Sequence, residues 1–153
     1  MAFDLAAALP QLLPSAIAWA EAKSAEVCSG GIALEPVGLA LARAVGVARP
    51  EQIRFSLVDQ LPLPEDPELR AAALQSGLLG PEMFGITFGY GIYMCNGYAT
   101  NRLLSHECRH VYQYEAAGSI ASFLPVYLKQ IVTLGYAQAP LEVDARNHER
   151  DVP

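Results

Sequence analysis

The run of apolar and polar positions divides the chain into helical, alternating and broken stretches. Pro14 to Val27 reads as a helix, with Pro14 suited to its first turn, and Ser29-Gly30-Gly31 ends it. A second helix is expected from about Glu35 to Val45, with Pro36 at the first position and Gly46 near the end. Ile53, Phe55 and Leu57 then alternate with Arg54, Ser56 and Val58, which predicts a strand. Leu61 to Pro67 is an extended, proline-stiffened connection, and Glu68 to Gln75 a short helix stopped by Gly77. Phe84 to Cys95 is rich in residues that favour β structure, with a turn or bulge at Gly89-Tyr90-Gly91. After a second turn at Asn96-Gly97, Thr100 can cap a helix that runs to Ala117 and closes on Gly118. Ser119 opens the next helix, which reaches Leu134 and Gly135 and carries Pro125 as an expected kink. Pro140 opens a last helix, Leu141 to Arg150. Helices, then strands, then three helices predict an α+β fold with a small antiparallel sheet.

Composition narrows the class. At 153 residues the chain is expected to form one domain, 1–153, long enough for one core. Within it, 1–80 is a helix-and-strand part and 84–150 carries the chemistry described below. The net charge is −6, only two Lys are present and the Arg residues are scattered. That argues against a nucleic-acid partner, since phosphate binding needs a basic surface. Three Cys (Cys28, Cys95, Cys108) form no C-x-x-C pair, which fits a reducing compartment and a cytoplasmic location. Met1 to Ala20 is apolar but starts with Asp4, lacks a positive charge and is interrupted by Pro10 and Pro14. It is read as a buried or docked helix, not a signal or a membrane span. Ile120 to Leu134 is also apolar, but it is short and contains Lys129 and Gln130, so a buried helix is expected and a membrane partner is not.

Chemistry concentrates at His106-Glu107-Cys108-Arg109-His110, an H-E-x-x-H motif that uses two of the three histidines. Residues i and i+4 share a helix face, so both imidazoles can hold one metal ion. Glu107 lies about 100° round the helix from His106, within reach of a water on that ion. Gln113 and Tyr114 fall on the same face, at about 340° and 80°. Cys108 falls opposite, at about 200°, and is read as a small core residue. Catalytic zinc usually takes three protein ligands. The third must come from His148 or a downstream carboxylate, and Glu142 is the best placed of these, opening the last helix.

The stretch from Leu104 to Arg146 resembles small bacterial H-E-x-x-H proteins of the zincin type. It carries His106-Glu107-Cys108-Arg109-His110-Val111-Tyr112-Gln113-Tyr114-Glu115 and then Pro140-Leu141-Glu142-Val143-Asp144-Ala145. The Gly85 to Met94 hairpin is similar to the edge strand before the active-site helix of such proteins. The resemblance implies a gluzincin-like site, with His106, His110 and Glu142 as zinc (Zn2+) ligands and Glu107 as general base. It implies a zinc metallopeptidase, a hydrolase acting on a peptide or protein substrate. Arg146 departs from the E-x-x-x-D spacing common in gluzincins, so Asp144 is a candidate for the orienting role. Arg146 is then a candidate partner of Glu142, or of a substrate carbonyl or carboxylate. Tyr112, Tyr114, Tyr136, Arg146 and His148 are candidate oxyanion donors. The alternative function is a zinc-binding, zincin-fold regulatory module with little or no peptidase activity, which the small size of the chain favours.

Overall fold

Asp4 begins the first helix a full two turns earlier than the pattern predicts. In the computed structural model, which describes residues 4–153, the Asp4 carboxylate accepts the Ala7 N–H at 3.2 Å. The helix, α1 (Leu5–Gly30), runs straight through Pro10 and Pro14. Each proline removes one i→i−4 bond, freeing the carbonyls of Ala6 and Pro10. All three residues are exposed, so water can satisfy those carbonyls. The first three residues of the Met1 to Ala20 stretch lie outside the described residues; the rest is this half-buried helix.

Gly31 turns the chain sharply out of α1. A Cβ there would lie 2.5 Å from the Val27 carbonyl oxygen and 2.9 Å from that of Phe55, so only glycine fits. The strand that follows, β1 (Ile32–Ala33), is two residues long, too short to leave an alternation. Then come α2 (Pro36–Ala44), a 3-10 turn at Pro50–Gln52, β2 (Arg54–Val58) and α3 (Pro67–Gln75). The hairpin β3 (Gly85–Phe88) and β4 (Gly91–Cys95) leads into α4 (Asn101–Ala117), α5 (Ile120–Leu134) and α6 (Pro140–Asn147). The last helix stops three residues short of the expected Arg150.

The α+β class stands, with four strands in the order β1-β2-β4-β3. The expectation of an antiparallel sheet is corrected. β1–β2 and β3–β4 are antiparallel, but β2 and β4 are parallel, with Phe55 opposite Ile92. A parallel pair needs a crossover of a dozen or more residues. Residues 59–90, with α3 and then β3, supply it. The hairpin therefore places β3 on the outer edge and β4 beside β2.

The side chains of β4 divide two cores. Ile92 and Met94 join Ala42 of α2, Val45 just beyond it, and Cys108 and Val111 of α4. Tyr93 and Cys95 point the other way, toward Ala16, Ala20 and Val27 of α1 and Phe123 and Ile131 of α5. Period-two alternation thus puts helices on both faces of the sheet. No single helix among the described residues is long and apolar enough to cross a membrane.

Candidate metal centre

Helix α4 is fixed at both ends before it contributes any chemistry. Thr100 accepts the Leu103 N–H at 3.2 Å, and Gly118 closes the helix in a left-handed conformation. Its polar face turns inward: His106, Glu107, His110 and Gln113 are all buried. Burying that many polar groups costs free energy unless each is paired. Among the described residues no buried side-chain nitrogen or oxygen lacks a partner.

Glu142, 2% exposed, lies between the two histidines. His106 Nε2 is 3.1 Å from its Oε1 and His110 Nε2 is 2.9 Å from its Oε2. One ligand atom from each of the three residues falls within 4.8 Å of the others. Two imidazoles and one carboxylate are a donor set that catalytic zinc accepts.

The far side of each imidazole decides whether Nε2 can ligate. Gln113 Nε2 donates to the Leu141 carbonyl and to Asp144 Oδ2, each at 2.9 Å. Its Oε1 therefore faces His110 Nδ1, at 2.8 Å, and can only accept. His110 must carry its proton on Nδ1, which leaves Nε2 to face the cluster. His106 Nδ1 lies 2.8 Å from Glu149 Oε2, the carboxylate–histidine arrangement that orients metal-bound imidazoles. Tyr127 donates to Glu142 Oε2 at 2.7 Å. The residues present therefore fit a metal ion.

Electrostatics follow from burial and crowding. Burial alone would lower the His106 pKa. Hydrogen bonds to Glu142 and Glu149 and the charges of Glu107 and Glu142 outweigh it and raise the value to about 9. His110 is raised as well, against its own burial, chiefly by Glu142. Burial would raise Glu142, but the two histidines and Tyr127 hold it well below the carboxylate range. Burial pushes Glu107 up, with the histidine charges opposing.

Glu107 is held from β3. Thr87 Oγ1 donates to its Oε1 at 2.8 Å, and the Thr87 hydroxyl also lies 3.2 Å from its backbone carbonyl. Gly85, two residues away on the same strand, gives the carboxylate room: a Cβ there would sit 3.0 Å from Glu107 Oε2. The edge strand before α4 thus positions the glutamate.

The other sequence candidates separate. Asp144 takes the orienting role at one remove: Arg109 grips it with two bonds, at 2.8 and 3.2 Å, and it in turn holds Gln113. Arg146 does not pair with Glu142. It donates to the Ala137 carbonyl and lies over the Tyr136 ring. His148 is turned to the Asp144 backbone carbonyl, 2.7 Å away, and lies outside the cluster. Tyr114 is committed to the Thr87 carbonyl at 3.1 Å, so it is not a free donor. Tyr112 stacks under Arg109. Tyr136 borders the spaces on both sides of the cluster. Sequence reasoning missed Thr87, Tyr127 and Glu149 as partners. Thr87, between the β-favouring Ile86 and Phe88, and Tyr127, three residues after Leu124 on an apolar helix, both read as ordinary core positions.

Two spaces meet at the cluster. An inner cavity of about 120 Å³ reaches from Glu107 and Glu142 between α1, α3 and α5. An outer cleft of about 370 Å³ lies between the residues around Met83 and the start of α4, with Arg102, Arg146 and Glu149 on its walls. Comparisons with protein-family models, curated proteins and solved structures give no match.

Proposed function

We propose that the chain is a zinc-dependent hydrolase that cleaves amide bonds, a minimal metallopeptidase of zincin type. The carrying observation is the convergence of two imidazole Nε2 atoms and the Glu142 carboxylate beside a buried glutamate anchored by its own strand. His106, His110 and Glu142 would hold the ion. When bound there, zinc lowers the pKa of water to about 7 and polarises a carbonyl.

The protein's part is positional. Glu107 takes a proton from the attacking water and returns it to the leaving amine. Burial raises its pKa, which strengthens it as the base that takes the proton from water. Thr87 keeps one Glu107 oxygen occupied, so the other does the transfer. Gln113, Glu149 and Tyr127 hold the ligands in orientation. Tyr136 borders both spaces, but its hydroxyl, kept protonated by burial, is bonded to Glu142, so with Tyr127 it helps to hold that ligand. The three free cysteines agree with a reducing, cytoplasmic setting.

The test is Glu107→Gln beside the wild type. Hydrolysis of an amide substrate is expected to fall about 10²–10⁴-fold with zinc content unchanged. Full activity in the variant would sink the mechanism. One zinc per wild-type chain with no hydrolysis of any amide would instead identify a zinc-binding module.

A further inference from the structure

The inner cavity has a shape and lining that the hydrolytic reading alone does not require. Its α1 wall is Leu5, Leu9, Leu12, Ala16, Trp19 and Ala20, a set at helical spacing that forms one face. From Leu5 to Ala20 is fifteen residues, about 22 Å of helix. Helices α3 and α5 close the sides with alanine, leucine and aromatic carbon. The cavity's polar lining is the cluster with Thr87 and the neighbouring tyrosines, apart from Ser76, whose hydroxyl is spent on the Ala73 carbonyl. Native cores are packed to crystal-like density, and an unfilled apolar void costs stability. A long, narrow apolar space ending at a reactive centre matches a chain of methylenes better than a compact side chain.

The outer cleft is more polar, although Met83, Phe84 and Leu103 also border it. Tyr98, Arg102, Arg146, Glu82 and Glu149 line it. Arg102 is paired with Glu149 and Asp151. Among the described residues Arg146 has a backbone carbonyl and a ring as partners but no carboxylate. Its charge is available to an anionic group.

We propose that the substrate is an N-acyl amphiphile: a long unbranched acyl chain lies along α1, and an amino-acid or peptide part places a carboxylate near Arg146. The amide between them then sits at Glu107. This rests on the hydrolytic reading of the cluster. Cleavage breaks the C–N bond. The hydroxyl of water goes to the carbonyl carbon and its remaining proton to nitrogen, giving a fatty acid and an amine.

Trp19 is the sole tryptophan and lines the cavity, so its fluorescence reports occupancy without any need for turnover. Metal-free and zinc-loaded protein would be titrated with N-dodecanoylglycine, N-dodecanoylglycinamide, free dodecanoate and N-acetylglycine. Saturable change in Trp19 emission is expected with the dodecanoyl compounds and not with N-acetylglycine. A bromine-labelled chain should quench Trp19. N-dodecanoylglycine should bind about tenfold more tightly than its amide, as a charge-assisted hydrogen bond allows, and Arg146→Gln should erase that difference. Ala73→Phe and Ala16→Phe fill the cavity from two helices and should weaken dodecanoyl binding at least tenfold while circular dichroism is unchanged. Zinc-loaded protein should release dodecanoate from N-dodecanoylglycine, whereas free dodecanoate binding alone would assign the cavity to the fatty acid and overturn the amide. Equal binding of acetyl and dodecanoyl compounds, or no quenching by the brominated chain, would overturn the chain pocket. Cleavage of acetylated peptides with no dodecanoyl preference would do the same and leave the hydrolase standing. Tight dodecanoyl binding with no cleavage would overturn the hydrolytic reading and keep the pocket.

Discussion

Gln113 decides which nitrogen of His110 faces the cluster, and it does so because its own amide is already spent on Leu141 and Asp144. Removing it frees the ring to rotate or change tautomer. Gln113→Ala, and separately Glu149→Gln, are expected to weaken zinc binding about 10–100-fold, read by competition with a chromophoric chelator; unchanged affinity in both would show that the imidazoles are oriented by other contacts. Proton competition gives a second expectation. In the metal-free protein His106 has a pKa of about 9 against an ordinary 6.5. A raised pKa contributes stability that is fully present below about pH 6.5 and is lost as pH rises through 9. Zinc must displace that proton, so its affinity should climb from pH 7 to 9 by up to tenfold per pH unit for each proton released. Zinc titrations at pH 7, 8 and 9 check this, and a flat profile would mean that the imidazoles are already neutral. The pair His106 and His110 was legible in the sequence because a helix makes i and i+4 neighbours. Glu149 was not, since the chain leaves α6 at Asn147 and only the irregular turn beyond brings that carboxylate to His106.

At the scale of elements, the site belongs to the contact between β3 and α4. Gly85 and Thr87, alternate residues on one strand, supply space and a hydrogen bond to the same carboxylate. Gly85→Ala forces Glu107 or Leu103 to move, as both would lie 3.0 Å from the new methyl group. Thr87→Val removes the hydroxyl while preserving the shape. Each substitution should reduce hydrolysis, by as much as about 10²-fold, since small displacements of a reacting group are that costly. Zinc content should be unaffected, because neither residue touches a ligand. Loss of zinc together with activity would mean that β3 shapes the whole cluster and not Glu107 alone. The capped helices α4 and α5 were readable because Thr100, Ser119, Gly118 and Gly135 mark their ends with local chemistry. The parallel pairing of β2 with β4 was not. A strand's alternation records which face is buried, whereas the direction of its neighbour depends on the connection between them. The early start of α1 was hidden for a different reason: prolines signal a break, but here they sit where solvent can take over the missing bonds.

Across the whole molecule the cluster is the main polar tie between α4 and α6. The two helices bring together His106 and Glu142, thirty-six residues apart in sequence, and Arg109 with Asp144 adds a second link. In the metal-free state this tie consists of a carboxylate and two imidazoles buried together, and desolvation of that group offsets much of the attraction. A bound cation would change the balance. The unfolded chain offers no such preformed site, so zinc at about one hundred times its Kd should add about 2.7 kcal/mol. For a chain of this length that corresponds to a rise in Tm of roughly 5–10 °C. Calorimetry of chelated and zinc-loaded protein would measure it, with Glu142→Ala as the control that should show little shift. Hydrogen exchange locates the effect: zinc should slow the amides of α6 and the middle of α4 by more than those of α2, which joins the core on the other side of Cys108 and Val111. A Tm indifferent to zinc and chelator would leave the cluster as an apolar protein's buried hydrogen-bond network, and would take the metal, and the hydrolase with it, out of the account.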